Sequence, residues 1–223
     1  MAGLTQYSSA NLLPEVQVDT ERWNCIPSED VVTETAAAVG KRGIRVIRAP
    51  DGREALETLT RLIPRGAEVM NGSSTTLIEI GYESLLKSGT AGWKDLHDMI
   101  TAENDEKKRG DLRRRSVTAD YFVSGANAIS RTGEIVACDM SGSRVGAWPF
   151  GAGRLIIVCG VNKIVPTLED ALRRIREYAF PLEDARARRA YGTPSQIGKC
   201  VILANEKAEG RVTLVLISES LGY

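Results

Sequence analysis

Four short segments of this chain join charged or amide side chains to small residues, each just beyond an apolar run. Met70-Asn71-Gly72-Ser73-Ser74-Thr75 brings an amide and three hydroxyls to a point where a strand feeds a helix. Free backbone N–H groups and the positive end of a helix dipole suit phosphate or carboxylate there. No Gly-Lys-Ser/Thr follows, so this is not a P-loop, and a plain helix cap is the competing reading. Gly125-Ala-Asn127 and Thr132-Gly133-Glu134 come next. Asn127 can orient a carbonyl or carboxylate, Thr132-Gly133 reads as a turn, and Glu134 can act as a general acid or base. A hairpin-like loop whose Asn127 satisfies backbone groups would look the same.

The third segment is Asp139-Met-Ser141-Gly-Ser143-Arg144. A single Arg among small residues suits bidentate recognition of an oxyanion. Asp139 is a proton-transfer candidate there, or the partner of Arg144 in a structural ion pair. The fourth is Gly160-Val-Asn162-Lys163, where Lys163 supplies positive charge or, once desolvated, a reactive amine. The catalytic candidates are therefore Glu134, Asp139 and Lys163. The ligand-binding candidates are Asn71, Gly72, Ser73, Ser74, Thr75, Gly125, Asn127, Thr132, Gly133, Ser143, Arg144, Gly160 and Asn162. No metal site is expected, and the residues name no cofactor.

These loops need strands to carry them. Helix periodicity and caps predict helices from Ser28 to Val39, Gly52 to Leu62, Thr75 to Leu86 and Leu168 to Tyr178. The polar stretch Gly92 to Gly110 also reads as helical. Pro181 is expected to end the unit before it, leaving 182–190 as a charged helical turn. Short apolar runs predict strands at Ile44–Ile47, Ala67–Met70, Tyr121–Ser124, Glu134–Cys138 and Leu155–Cys159. Cys200–Leu203 and Val212–Ile217 read as a closing antiparallel hairpin. Strand and helix alternating in this way predict an α/β fold, a mostly parallel central sheet between helical layers. In such a sheet the loops converge at the carboxyl edge of the strands, which makes one pocket for an anion out of four motifs. Residues 1–27 read as an N-terminal arm and 28–223 as one domain.

Composition narrows the partners. The 223 residues carry 29 basic and 29 acidic side chains and only 5% aromatics, which argues against a nucleic-acid surface. The four cysteines show no metal-knuckle spacing. His97, the single histidine, falls in a charged helical run and reads as a surface residue. No stretch approaches the roughly 20 apolar residues of a membrane span, and MAGLTQYSSANLLPE lacks the pattern of a signal peptide. A soluble cytoplasmic protein is the expectation, and the apolar LISESLGY end suits a homo-oligomer interface and a final core strand equally well.

NGSSTTLIEIG, ADYFVSGANAISRTGEIVACDMSGSRVGA, LIIVCGVNKIVPTLEDALRRIREYAFPLEDARA and VTLVLISESLGY together resemble the LUD-domain family, which includes LutC-type lactate-utilisation proteins. The resemblance implies a Rossmann-like three-layer α/β/α sandwich shared with ribose-5-phosphate isomerase and class I CoA transferases. It also implies a role in lactate-type organic-acid metabolism beside an iron–sulfur partner. The ligand would be a small carboxylate or phosphate. The chain departs from many such relatives in having YGTPSQIGKC where they carry a cysteine-rich segment. Two alternatives stay open: a non-catalytic assembly subunit for an iron–sulfur protein, and a CoA-transferase-like or sugar-phosphate-isomerase-like enzyme. Where the isomerases place a catalytic acid, this chain has Asn127.

Overall fold

The computed structural model describes residues 8–223. Its strands are β1 (Arg45–Ala49), β2 (Glu68–Asn71), β3 (Lys94–Asp95), β4 (Tyr121–Gly125) and β5 (Ala128–Ser130). They continue with β6 (Ile135–Asp139), β7 (Arg154–Gly160), β8 (Ile164–Val165), β9 (Lys199–Leu203) and β10 (Val212–Ile217). Six of them form one parallel sheet in the order β1-β10-β7-β4-β2-β3. The others form a second sheet, β8-β5-β6-β9, in which β6 runs antiparallel to both its neighbours.

The sequence of β7 explains the layering. Leu155, Ile157 and Cys159 point to one face, where they pack with Val32 and Val39 of the helix Glu29–Lys41 and with Ile129 and Ile135 of the second sheet. Ile156 and Val158 point to the other, against Ala55, Leu59 and Leu77. A strand covered on both faces has no polar side to show, hence the unbroken apolar run. The helix Gly52–Leu62 forms as its pattern predicts: Asp51 accepts the Glu54 N–H at 2.8 Å, and Ala55 and Leu59 are fully buried. This is the expected α/β architecture, with a mostly parallel central sheet and helices on both sides.

Four expectations need correction. The closing hairpin does not form: β10 lies between β1 and β7 in the central sheet, while β9 pairs with β6 in the other. Burial decides it, because every residue of β10 is buried and β9 is mostly open to solvent, as suits an edge. The helix expected from Thr75 to Leu86 is two helices, Thr75–Glu79 and Tyr82–Ser88, parted at Gly81 with φ of 83°. The polar run after Gly92 likewise splits into Leu96–Ala102 and Glu106–Arg115. Pro181 does not end its unit. Helix Leu168–Arg174 passes through a π-helical turn, Ile175–Ala179, into helix Phe180–Tyr191. The wider turn comes just where Pro181 offers no N–H, so the chain continues without a broken ladder bond.

Residues 1–7 of the expected arm lie outside the described residues. Within the rest, Leu12 and Trp23 are buried against Ala171, Ile175, Tyr178 and Leu182. No helix among the described residues is long and apolar enough to cross a membrane.

Candidate functional site

A cavity of about 370 Å³ opens where β2 and β4 end. Its lining takes Met70 to Thr75 from the loop after β2, Gly125 to Asn127 from the loop after β4, Cys138 to Ser141 with Ser143 and Arg144 from the turn after β6, and Lys163 from the turn after β7. All four expected loops therefore send residues to one place. Close backbone approach makes this possible. A Cβ on Gly125 would sit 2.5 Å from the Ser74 hydroxyl, and one on Gly72 would sit 2.5 Å from Cδ of Arg144.

Arg144 is the best-placed cation. Its guanidinium donates to the Gly125 carbonyl at 3.2 Å, to the Asn127 side-chain oxygen at 3.3 Å, and to the Cys138 carbonyl. All three acceptors are neutral, so the fork is held in place while its charge stays unpaired. Burial pulls its pKa down, with Asp139 opposing, yet a guanidinium keeps its proton in a protein. The alternative in which Asp139 pairs with the guanidinium is not what forms. The Asp139 carboxylate instead accepts the backbone N–H groups of Gly142, Arg144 (3.0 Å) and Val145 (3.1 Å). It satisfies the free first-turn N–H groups of the short helix Ser143–Gly146, whose N-cap residue Gly142 has no side chain to do so, and thereby aims Arg144.

Lys163 lies at the cavity floor, 1% exposed. Its Nζ donates to the Thr76 hydroxyl at 2.9 Å and to the Ala126 carbonyl at 3.0 Å. Burial moves its pKa down to about 8. Two positions on the nitrogen are thus committed, and the third carries a proton or a lone pair near neutral pH. Asn71 adds an acceptor: its amide oxygen is buried without a hydrogen-bond partner among the described residues. A buried polar atom of this kind is rare and marks a place where water or a ligand donor fits.

Other expected residues serve structure. Ser74 accepts the Leu77 N–H at 3.4 Å and caps Thr75–Glu79, a helix too short to add up a large dipole. Asn127 orients Arg144 through the oxygen that also accepts the Cys138 N–H at 2.8 Å. Asn162 is buried outside the cavity lining, where its Nδ2 donates to the Asn24 side chain at 2.7 Å and its Oδ1 accepts the Leu221 N–H at 3.1 Å. Gly160 makes room for it, since a Cβ there would meet the Asn162 oxygen at 2.4 Å. Thr132, Gly133 and Glu134 occupy the β5–β6 turn, away from the lining. Glu134 pairs with Arg42 at 2.5 Å and accepts both the Ser130 and the Thr132 hydroxyl. Its oxygens are spent on that ion pair, which leaves it no proton-transfer role at the cavity.

The opposite wall escaped the sequence reading. Glu183 takes Arg186 through two bonds of 2.7 Å and accepts the Tyr223 hydroxyl at 2.7 Å. The three line the cavity together, and the carboxylate neutralises Arg186. A Glu and an Arg three apart in EDARARRA was the available signal. His97 and Arg113, both exposed, stand at the mouth. Among the described residues no group of three or more His, Cys, Asp or Glu side chains is placed to hold a metal ion.

The LUD domain family model matches residues 32–217, most of the chain. The protein belongs to the LUD-domain family. The crystal structure of a DUF162 family protein from Deinococcus radiodurans is similar to this LUD domain at a TM-score of 0.50 and 12% identity. That match covers 86% of this chain and 99% of the other, a likeness of fold. Ribose 5 phosphate isomerase A from Neisseria gonorrhoeae matches at a TM-score of 0.31 and 16% identity, over 52% of this chain and 54% of its own. No curated protein sequence matches the LUD domain described here.

Proposed function

We propose that this LUD domain binds a small organic anion in the cavity between Arg144 and Lys163, as an enzyme or enzyme subunit of lactate-type organic-acid metabolism. The observation that carries the reading is Arg144, a guanidinium fixed by three neutral oxygens at the wall of the cavity. The guanidinium charge is still unpaired, and an oxyanion can accept from the N–H groups that these three bonds leave free, on Nε and Nη1. The bare Asn71 oxygen favours a ligand with a donor beside its carboxylate, as a 2-hydroxy acid has. Lys163, which sheds its proton near pH 8, accepts or returns a proton at that hydroxyl. Asp139 acts on the ligand only through the turn that carries Arg144. The chain's own groups supply binding and proton transfer, so oxidation of such a ligand requires an electron acceptor from an iron–sulfur partner.

Thermal shift and calorimetry with lactate, pyruvate, acetate and inorganic phosphate test this reading. A ligand that binds only the folded chain raises its melting temperature. Lactate is expected to raise it more than acetate does, and Arg144→Ala to abolish the rise. Equal responses of wild type and R144A to every anion would overturn the assignment.

A further inference from the structure

Two of the cysteines, Cys138 and Cys200, face each other across the β6–β9 ladder as direct partners. The bonding pattern around them fixes the kind of pair. The Cys138 N–H goes to the Asn127 side chain and its carbonyl accepts from Arg144, both on the β5 side. Its neighbour Asp139 bonds the other way, its carbonyl accepting from Gly198 at 3.1 Å. Cys138 and Cys200 are therefore a non-hydrogen-bonded antiparallel pair, whose Cα atoms sit about 4.5 Å apart and whose side chains share one face. That spacing falls within the range of roughly 4.4–6.8 Å that a disulfide spans. Both thiols are free, Cys200 exposed and Cys138 half-buried on the cavity lining.

We propose that Cys138 and Cys200 are a redox-reactive pair that closes to a reversible disulfide when the protein meets a hydroperoxide. Cys200 reacts first, because it is the thiol open to solvent. Its thiolate attacks the O–O bond of hydrogen peroxide, which leaves a sulfenic acid and one water. The Cys138 sulfur then attacks the Cys200 sulfur; the S–S bond forms, the S–O bond breaks, and a second water leaves with the Cys138 proton. Two electrons and two protons pass from the thiols to one peroxide. Burial, and then the neighbouring Cys200 thiol, push the Cys138 pKa up to about 12. Cys138 thus stays protonated in the resting protein and is spared direct oxidation. The closed bond would pin β9 to the strand whose Cys138 backbone holds Asn127 and Arg144. Formation of the bond does not depend on the anion-binding reading, and the experiment below measures it without any ligand.

The full chain carrying Cys25→Ser is treated with hydrogen peroxide while folded, alkylated, and digested with trypsin without reduction. The expected product is peptide 132–144 joined to peptide 200–207, lost on adding dithiothreitol. C200S is expected to keep Cys138 fully alkylatable, and C138S to leave a dimedone-trappable sulfenic acid on Cys200. Recovery of both cysteines as alkylated thiols after peroxide overturns the proposal. So does Cys200 advancing to sulfinic acid while Cys138 stays free, or a linked pair that appears only in urea.

Discussion

Lys163 donates to the Thr76 hydroxyl at 2.9 Å, across 87 residues of chain. The turn after β7 is thereby tied to the helix after β2, and Ala126, the other acceptor, brings in the loop after β4. One buried amine holds three strand ends around the cavity it faces. The nitrogen that makes these ties also faces the cavity, so its protonation should be felt both in stability and in ligand affinity.

Its ordinary pKa of 10.5 is lowered to about 8 in the fold, so between those values the unfolded chain binds more protons than the native one. Unfolding free energy then rises with pH across that window, and the Lys163 contribution is unfavourable below it. Wild type measured against Lys163→Met by urea denaturation should show this rise as a difference between the two curves. Anion affinity should move oppositely, falling in wild type as the pH passes about 8 and staying flat in K163M.

Arg144→Ala should weaken anion binding roughly tenfold to a hundredfold, the value of about 1.5–3 kcal/mol for hydrogen bonds to a charged group. Calorimetry reads the affinity directly. Gly72→Ala should reproduce part of the loss while Arg144 remains, because the new Cβ would lie 2.5 Å from Cδ of the arginine and displace its stem.

Asp139→Ala should cost about 1–2 kcal/mol of stability, since it removes the cap from Ser143–Gly146. It should also weaken binding, through loss of aim and not of contact. Asp139→Asn keeps one accepting oxygen but turns an amide NH2 toward the remaining N–H groups, so it should recover only part of the stability, which thermal denaturation would show.

Glu134→Gln should leave ligand affinity unchanged, in contrast to both. Burial alone would raise the Glu134 pKa, but the Ser130 and Thr132 hydroxyls, its own backbone N–H and Arg42 together lower it. A carboxylate depressed in this way stabilises the fold above its ordinary pKa of 4.5 and ceases to do so as pH falls through the lower native value. E134Q should therefore lose stability at neutral pH and show a shallower acid limb than wild type in denaturation curves.

The cavity lining was legible in the sequence because its groups sit at strand ends, where short apolar runs break into Gly, Ser and Asn. Asn71, Arg144 and Lys163 followed from that rule. Glu134 misled because it has the same local setting, a turn after an apolar strand; only its partner Arg42, 92 residues away, reveals the ion pair. Glu183, Arg186 and Tyr223 stayed hidden because they reach the cavity from a helix and the chain end, and their junction is tertiary. The fate of β10 was hidden for a similar reason. Two apolar runs joined by a turn look alike whether they pair with each other or part to separate sheets.

The π-helical turn at Ile175–Ala179 holds, in effect, one residue more than the helix around it would need. Each residue of an α-helix advances the chain by about 100° of rotation. The wide turn absorbs that extra residue and leaves the following helix, Phe180–Tyr191, on its face, whereas inserting one residue more would screw that helix round by the full angle. Glu183 and Arg186 would swing off the cavity wall with their composition untouched. The charge presented on that side of the pocket is thus a matter of counting along the chain, and a one-residue insertion there would redraw it more than any substitution.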